Sequence, residues 1–370
     1  MSGGATPQAS GLWRLLALAA HAGDTLGLRR AEAGRAVPAA DAPEAVTAVT
    51  DRIEEQVWTA TALVVAIETG LVEALLRTPR RPLQPAEAEG LSGLPAPIAA
   101  GVLDILVGLG WAHRDGEQYR ASAGLDGFAR PERFAQLAAA VQAPLLQARD
   151  FRARAAAGEV DLEGWRFTDP DVIEAQGALT AAMAERAIPR LRFLPGLTSR
   201  LEAPGAALLD VGAGAAGLAI ALCRRFPHLR AVCLEPAPHP AAIGEAKITE
   251  AGLSDRIELR RQRVEHIAEA EAYDLVFLPQ MFLPDPVMAA AAPVLQRALK
   301  PRGWLLAAVM SRPGADAGSA VLRLRNLLWG GNARSAAAVK DVLLAAGFSP
   351  VIRSPGREVV RMVCARRPPS

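Results

Sequence analysis

The sequence has few of the residue types on which several classes of protein depend. Its 370 residues include only three cysteines and five histidines. Cys223, Cys233 and Cys364 form neither a CxxC metal pair nor a disulfide framework, and their apolar neighbours predict buried, reduced thiols. We therefore expect no metal site and a cytoplasmic protein.

Two further absences limit the possible partners. No apolar run reaches the roughly 18 residues of a membrane span. Only "LWRLLALAAHAG" resembles the core of a secretory signal, and it is short, contains Arg14 and follows no basic segment. The 41 lysines and arginines nearly balance 39 acidic residues, so the charge gives no reason to expect nucleic acid or an anionic membrane. A small, uncharged partner is favoured.

Apolar residues make up 51% of the chain, which is enough for the cores of two domains. Residues 1–46 are rich in Ala, Gly and Pro and are predicted to form a partly flexible extension. Residues 47–125 predict helices interrupted at Gly70, two more short helices, and a hairpin that turns at Asp115 and Gly116. Helices followed by a small hairpin are typical of a winged helix.

Winged helices often bind DNA through the helix before the hairpin, here residues 95–110. This helix contains no Lys or Arg, the residues that supply the phosphate contacts on which nucleic-acid affinity depends. Together with residues 47–76 it has more apolar surface than a module of this size can bury. The pattern therefore favours a homodimer over DNA recognition, and a metabolite-sensing regulator is the least favoured interpretation.

Residues 126–200 predict a helical linker, and residues 201–370 alternate between strands and helices. The predicted strands are "AALLDVG", "LRAVCLEP", "RIELRR", "YDLVFLP", "GWLLAAVM" and "VVRMVCARR". The predicted helices lie near 217–226, 238–252, 285–299 and 335–346. Such alternation predicts an α/β fold with a parallel sheet covered by helices on both faces. Ligands of these sheets bind beyond the carboxyl ends of the strands.

A glycine-rich turn joins two of these strands within residues 208–236. Asp210 ends the first strand, Gly212 and Gly214 form the turn, and Glu235 closes the second strand, where a carboxylate can accept both hydroxyls of a ribose. A dinucleotide is one candidate ligand, because "GAGAAG" has the spacing that places a pyrophosphate at a helix N-terminus. The charge of Asp210 would repel a pyrophosphate but could pair with the ammonium of a methionine moiety, which favours S-adenosylmethionine.

Four segments, "LLDVGAGAAG", "CLEP", "YDLVFLPQMFLPD" and "VLQRALKPRGWLLAAV", resemble the consecutive motifs of class I S-adenosylmethionine-dependent methyltransferases. With the winged module, and over roughly residues 50–366, the chain is similar to their small-molecule O-methyltransferases. This resemblance implies a Rossmann-like catalytic domain at 201–370 and a linker at 126–200 that contributes to the substrate pocket. It also implies methyl transfer to a small, mainly apolar metabolite of natural-product biosynthesis.

The resemblance further implies site residues. The implied cofactor-binding residues are Asp210, Gly212, Gly214, Glu235, Gln262, Arg263 and Pro279. The implied acceptor-binding residues are Leu179, Met183, Gln280, Met281, Phe282, Asn326 and Trp329. For Met183 and Trp329, ordinary core packing is an equally good interpretation.

The chain departs from the family at the groups that would move a proton or bind adenine. Where many relatives carry an aspartate after the third strand, the chain reads "RRQRVEH". Where a catalytic histidine normally follows the fourth strand, the chain has Phe282, Leu283 and Pro284. The segment "NARSAAAVKD" also lacks the helper glutamate. The catalytic residue therefore stays open, with Gln280 and Met183 as candidates.

A missing base limits the acceptor, because general-base catalysis typically contributes ~10²–10⁴-fold. Proximity alone serves an acceptor that is already nucleophilic: a carboxylate, an acidic phenol, an enolisable carbon, an amine or a thiolate. The alternative function is a non-methylating relative, such as an S-adenosylmethionine-bound decarboxylase, hydroxylase or cyclase.

Overall fold

The computed structural model describes residues 43–77, 81–160, 164–312, 314–354 and 359–369. The segment "LWRLLALAAHAG" and most of the predicted extension lie outside these ranges. Within them, no single helix is both long and apolar enough to cross a membrane, although two bent helix pairs reach that length and apolarity together.

The N-terminal part is a helical module with a small hairpin. It consists of α1 (Pro43–Glu68), α2 (Leu71–Arg77), α3 (Pro85–Ser92), α4 (Ala96–Gly108), β1 (Ala112–Asp115) and β2 (Gln118–Ala121). Gly70, with φ of 77°, separates α1 from α2 where the sequence predicts an interruption. The strands pair antiparallel around Gly116. A separate core that includes Leu71, Leu103 and Tyr119 holds the module together, and its arrangement fits the predicted winged helix.

Helices connect this module to the sheet. They are α5 (Ala123–Asp126), α6 (Pro131–Ala157), α7 (Pro170–Ala187), a 3₁₀ helix (Ile188–Phe193) and α8 (Leu197–Glu202). Asp169 caps α7, because its side chain accepts a hydrogen bond from the backbone N–H of Asp171. Small residues of α6 and α7, including Ala139, Ala143 and Ala175, pack against one another, so the two helices lie close together.

A seven-stranded sheet forms the C-terminal part. Its strands are β3 (Ala207–Val211), β4 (Arg230–Leu234), β5 (Ile257–Arg260), β6 (Tyr273–Pro279), β7 (Leu299–Met310), β8 (Val351–Arg353) and β9 (Val360–Arg366). Its helices are α9 (Gly217–Arg225), α10 (Pro238–Glu250), α11 (Asp285–Ala298), α12 (Ala317–Leu328) and α13 (Ala336–Ala345). Every residue of β6 is buried, which accounts for the apolar run from Leu275 to Pro279.

The strand order is β5-β4-β3-β6-β7-β9-β8. From β3 the chain moves outward to β4 and β5, and then returns to place β6 on the other side of β3. The order therefore reverses between β3 and β6, and ligands of such sheets bind at the carboxyl ends of the strands at this position.

The sheet is mostly parallel, as the sequence predicts, and its last strands depart from that direction. β9 pairs antiparallel with both β7 and β8. The connection from Arg353 to Val360 is too short for the crossover helix that a parallel pair requires. The sequence prediction also omitted α12, which lies between β7 and α13.

Candidate active site

Two neighbouring strands bring acidic residues to one edge of the sheet. Asp210 lies in β3 opposite Cys233 of β4, and Glu235 directly follows β4. In the turn after β3, Gly212 and Gly214 have φ of 64° and 54°, which L side chains rarely adopt. A Cβ added to Gly214 would meet no described atom within 4 Å, so the turn has open space in front of its backbone.

Glu235 holds this turn with both of its carboxylate oxygens. The backbone N–H of Gly214 donates to Oε2 at 2.9 Å, and the N–H of Ala237 donates to Oε1 at 2.9 Å. Burial raises the pKa of Glu235, and these two hydrogen bonds oppose that shift. Each carboxylate oxygen can accept more than one hydrogen bond. Ribose hydroxyls can therefore bind Glu235 without displacing the turn.

The Asp210 carboxyl is buried and only partly satisfied. It accepts a hydrogen bond from the backbone N–H of Ala219, whereas Oδ2 has no partner among the described residues. Burial raises the pKa of Asp210 to about 8, and the charge of Glu235 acts in the same direction. A buried carboxylate without a counter-ion is costly. A cationic ligand group would relieve this cost, and a pyrophosphate would increase it, so these residues fit S-adenosylmethionine.

α7 lies directly on the glycine-rich turn. A Cβ on Gly217, the first residue of α9, would lie 2.4 Å from the carbonyl oxygen of Gly177 in α7. A Cβ on Gly177 would lie 2.6 Å from Cβ of Ala215. These contacts are possible only because both positions are glycine, so they fix α7 against the cofactor turn.

Gln280 follows β6 and is fully buried. Nη1 of Arg334 donates to Gln280 Oε1 at 3.1 Å and to the carbonyl of Leu283 at 3.0 Å. The other guanidinium nitrogen of Arg334 contacts the carboxylate of Asp285. Nε2 of Gln280 has no partner within the described part of the chain. Oε1 of Gln280 accepts the hydrogen bond from Arg334, so the part of the amide left without a partner among the described residues is the Nε2 donor. An amide group cannot act as a base.

An aromatic wall lies beside Gln280. The Phe282 ring lies 5.2 Å from the Trp329 ring and 5.6 Å from the Trp165 ring, measured between centroids. The loop after α12 touches the turn Gln280–Phe282, because a Cβ on Gly331 would lie 1.8 Å from the carbonyl oxygen of Met281. Phe282 and Trp329, both predicted for the acceptor, are therefore in contact, and the loop after α12 lies against the backbone of Met281.

Asn326 of α12 is fully buried near the end of β7. Its Nδ2 donates to the carbonyl of Met310 at 3.0 Å, while Oδ1 has no partner among the described residues. Pro279 ends β6 and lies 3.8 Å from the position that a Cβ on Gly212 would occupy. The end of β6 therefore meets the cofactor turn.

Four other predicted residues have contacts of their own. Gln262 donates to the carbonyl of His266 at 2.8 Å, and the Arg263 guanidinium pairs with Glu265 at 2.9 Å. Their predicted contacts with adenine stay predictions. Leu179 packs on the small residues of α6, and Met183 lines a small apolar pocket together with Phe277, Leu306 and Met362.

The four histidines in the described ranges are all exposed; they are His113, His228, His239 and His266. No cluster of three potential metal ligands occurs in these ranges. The three cysteines are buried, as their apolar neighbours predict.

Sequence reasoning missed two residues that shape the site. Arg334 lies in "NARS", a segment noted only for its missing glutamate, and Trp165 lies in "DLEGWRF", interpreted only as a loop. Neither has a local spacing that could have revealed its contact with Gln280 or Phe282.

A comparison with known families identifies the part of the chain that contains the turn. Residues 208–303 match the family described as "Methyltransferase domain". This segment is a methyltransferase domain. A stretch of 131 residues is 32% identical to the ubiquinone biosynthesis O-methyltransferase of Hahella chejuensis, and the match covers 34% of this chain. The chain spans about half of that relative's length, 46%.

Solved methyltransferase structures share the fold over most of the chain. An O-methyltransferase family protein from Burkholderia thailandensis matches with a TM-score of 0.62 and 17% identity, covering 88% of this chain and 98% of that protein. Human N-acetylserotonin methyltransferase, solved in complex with S-adenosylmethionine, matches with a TM-score of 0.62 and 18% identity, covering 89% and 99%. The predicted Rossmann-like α/β fold with an N-terminal helical region is confirmed.

Proposed function

We propose that the protein transfers a methyl group from S-adenosylmethionine to a small, mainly apolar metabolite of natural-product biosynthesis. The observation that carries this proposal is the pair of buried carboxylates around an open glycine turn. Asp210 has an oxygen available for the methionine ammonium, and Glu235 has lone pairs available for the ribose. The methyltransferase domain, and the cofactor held by the human structure, support the same assignment.

The bound cofactor would supply an electrophilic methyl group, and this chain's residues would position the acceptor. Gln280 donates a hydrogen bond to an acceptor oxygen, while Arg334 keeps its amide in that orientation. Phe282, Trp329 and Trp165 exclude water from one side. Orientation and proximity then replace a general base, so the acceptor must arrive in a nucleophilic form.

Transfer of an isotope-labelled methyl group tests the proposal. We expect S-adenosylmethionine with a deuterated methyl group to give a deuterated product with a member of a panel of aromatic acids and phenols, detected by mass spectrometry. Because no histidine follows β6 at the family's catalytic position, the non-methylating alternative is tested in the same reactions. Acceptors that change without gaining the label would support that alternative and contradict methyl transfer.

Gln280→Ala is expected to lower kcat by about 2- to 10-fold, the worth of one neutral hydrogen bond. The variant loses the donor that orients the acceptor but loses no proton-transfer group. Because Gln280 has no titrating proton and the family's catalytic histidine is absent, the pH–rate profile of the wild type is expected to lack a limb near the ~6.5 pKa of histidine. Gln118→Ala, in the distant hairpin, is the matched control. A limb near that pKa that disappears in His239→Ala or His266→Ala would show a displaced histidine base.

We also propose that the protein is a homodimer formed through its N-terminal module. Val49, Ile53 and Val57 recur at helical spacing along α1 and are exposed, and the neighbouring Trp58 is 65% exposed. Such an apolar stripe fits a second copy of the same helix. Light scattering is expected to give twice the chain mass of 38.9 kDa, and Ile53→Glu is expected to shift the protein toward monomer. A wild-type monomer, or Glu54→Gln acting like Ile53→Glu, would contradict this assembly.

A further inference from the structure

Arg325 is a partly buried cation on α12. Its guanidinium lies over the Trp329 ring, 4.9 Å from the ring centroid. Burial lowers the pKa of Arg325. α12 contains no Asp or Glu, and among the described residues no carboxylate forms an ion pair with Arg325. In contrast, Arg200 pairs with Asp274 at 3.2 Å and Arg367 with Glu271 at 2.7 Å.

Arg325 is connected to the proposed acceptor site through one side chain. The Trp329 indole beneath its guanidinium also contacts the Phe282 ring, which lies two residues after Gln280. Nε1 of Trp329 donates to Oε1 of Gln147 at 3.2 Å, which fixes the indole in place. The structure therefore holds a cation against the aromatic wall.

An anion is the group that this arrangement would bind best. Removing a guanidinium from water without a counter-ion is costly, and stacking on an indole offsets only part of that cost. The planar guanidinium forms paired hydrogen bonds with a carboxylate. The near-zero net charge favoured an uncharged partner. That net charge describes the electrostatic field of the whole molecule, and it does not describe the surroundings of one partly buried side chain.

We propose that Arg325 binds a carboxylate on the methyl acceptor, so the acceptor is an aromatic acid. Its ring would pack on Phe282, which is partly exposed, and its carboxylate would pair with Arg325. This inference rests on the proposed function, because it concerns the acceptor of the same site.

Two aromatic probes of equal shape, the anion 2-naphthoate and the neutral 2-naphthamide, test whether the acceptor site prefers a carboxylate. In the presence of S-adenosylhomocysteine, 2-naphthoate is expected to bind the wild type about 10- to 100-fold more tightly than 2-naphthamide, as a charge-assisted contact predicts. Calorimetry and tryptophan fluorescence measure both affinities. Equal affinities, or a preference for the amide, would overturn the inference even if S-adenosylhomocysteine binds normally and the proposed function holds.

Variants on α12 assign that preference to one residue. Arg325→Gln is expected to abolish the preference for naphthoate and leave naphthamide binding unchanged, while Arg325→Lys retains part of the preference. Arg323→Gln is the matched control on the same helix, because Arg323 is exposed and donates to the carbonyl of Gly314. If Arg325→Gln keeps the preference, or Arg323→Gln loses it, Arg325 does not bind the carboxylate.

Discussion

Asp210→Asn is expected to stabilise the ligand-free protein at neutral pH, by an amount that grows as the pH rises. The pKa of Asp210 is about 8 in the folded protein and is taken as 3.8 in the unfolded chain. Below about pH 4 the carboxyl is protonated in both states, so it carries no penalty. As the pH rises from 4 to 8, only the unfolded chain releases the proton, and the folded state loses stability. The penalty at pH 7 is about 4 kcal/mol, from ~1.36 kcal/mol per pH unit.

Chemical denaturation of the wild type and Asp210→Asn between pH 4 and 9 measures this effect. The difference between their free energies of unfolding is expected to rise with pH and level off above pH 8. Other titrating groups contribute similarly to both proteins and largely cancel. Asp255→Asn, at an exposed aspartate, is the control. A flat difference for Asp210→Asn would show that Asp210 is ionised throughout this range.

Gly217→Ala is expected to destabilise the protein by about 1–3 kcal/mol, the usual cost of overpacking. In an exposed helix the same change would stabilise by roughly 1 kcal/mol, so the expected sign is reversed. The reason is the carbonyl of Gly177, only 2.4 Å from the added Cβ. Because a backbone atom must move, α7 would shift away from the cofactor turn, and binding of S-adenosylhomocysteine should weaken as well.

The neighbouring residue provides a control. Ala216 has φ of 58°, a left-handed conformation that costs an alanine roughly 1 kcal/mol. Ala216→Gly relieves this strain but removes a fully buried methyl group, so we expect the free energy of unfolding to change much less than in Gly217→Ala, measured by the same denaturation experiment. A stable Gly217→Ala variant with unchanged ligand affinity would show that the contact between α7 and the turn is not tight.

The sheet was largely predictable because short apolar runs alternate with longer helical segments. Residues 275–279 of β6 read as one apolar run, and the glycine-rich turn after Asp210 marks the change from a strand to a helix. The direction of β9 was not predictable, because the side-chain pattern of a strand is the same in parallel and antiparallel pairs. Only the short connection after Arg353, which joins β8 to β9, excludes a parallel arrangement of these two strands. That connection becomes visible only once β8 is known.

The candidate site was predictable where one segment contains the relevant residues. Asp210, Gly214 and Glu235 are close in sequence, and the structure connects Gly214 to Glu235 by a hydrogen bond. In contrast, Gln280 and Arg334 are 54 residues apart in sequence and meet because the loop after α12 packs on the turn after β6. Contacts of this kind depend on how whole elements pack, and no local pattern encodes them.

Calorimetric titration with S-adenosylhomocysteine tests the central claim, that S-adenosylmethionine binds at the glycine-rich turn, between the side chains of Asp210 and Glu235. The wild type is expected to bind, and Glu235→Ala to bind about 10- to 150-fold more weakly, because a charged acceptor contributes roughly 1.5–3 kcal/mol. Exposed Glu245→Ala is the matched control and should bind like the wild type. Tight binding of NAD, with no binding of S-adenosylhomocysteine or S-adenosylmethionine, would contradict the account.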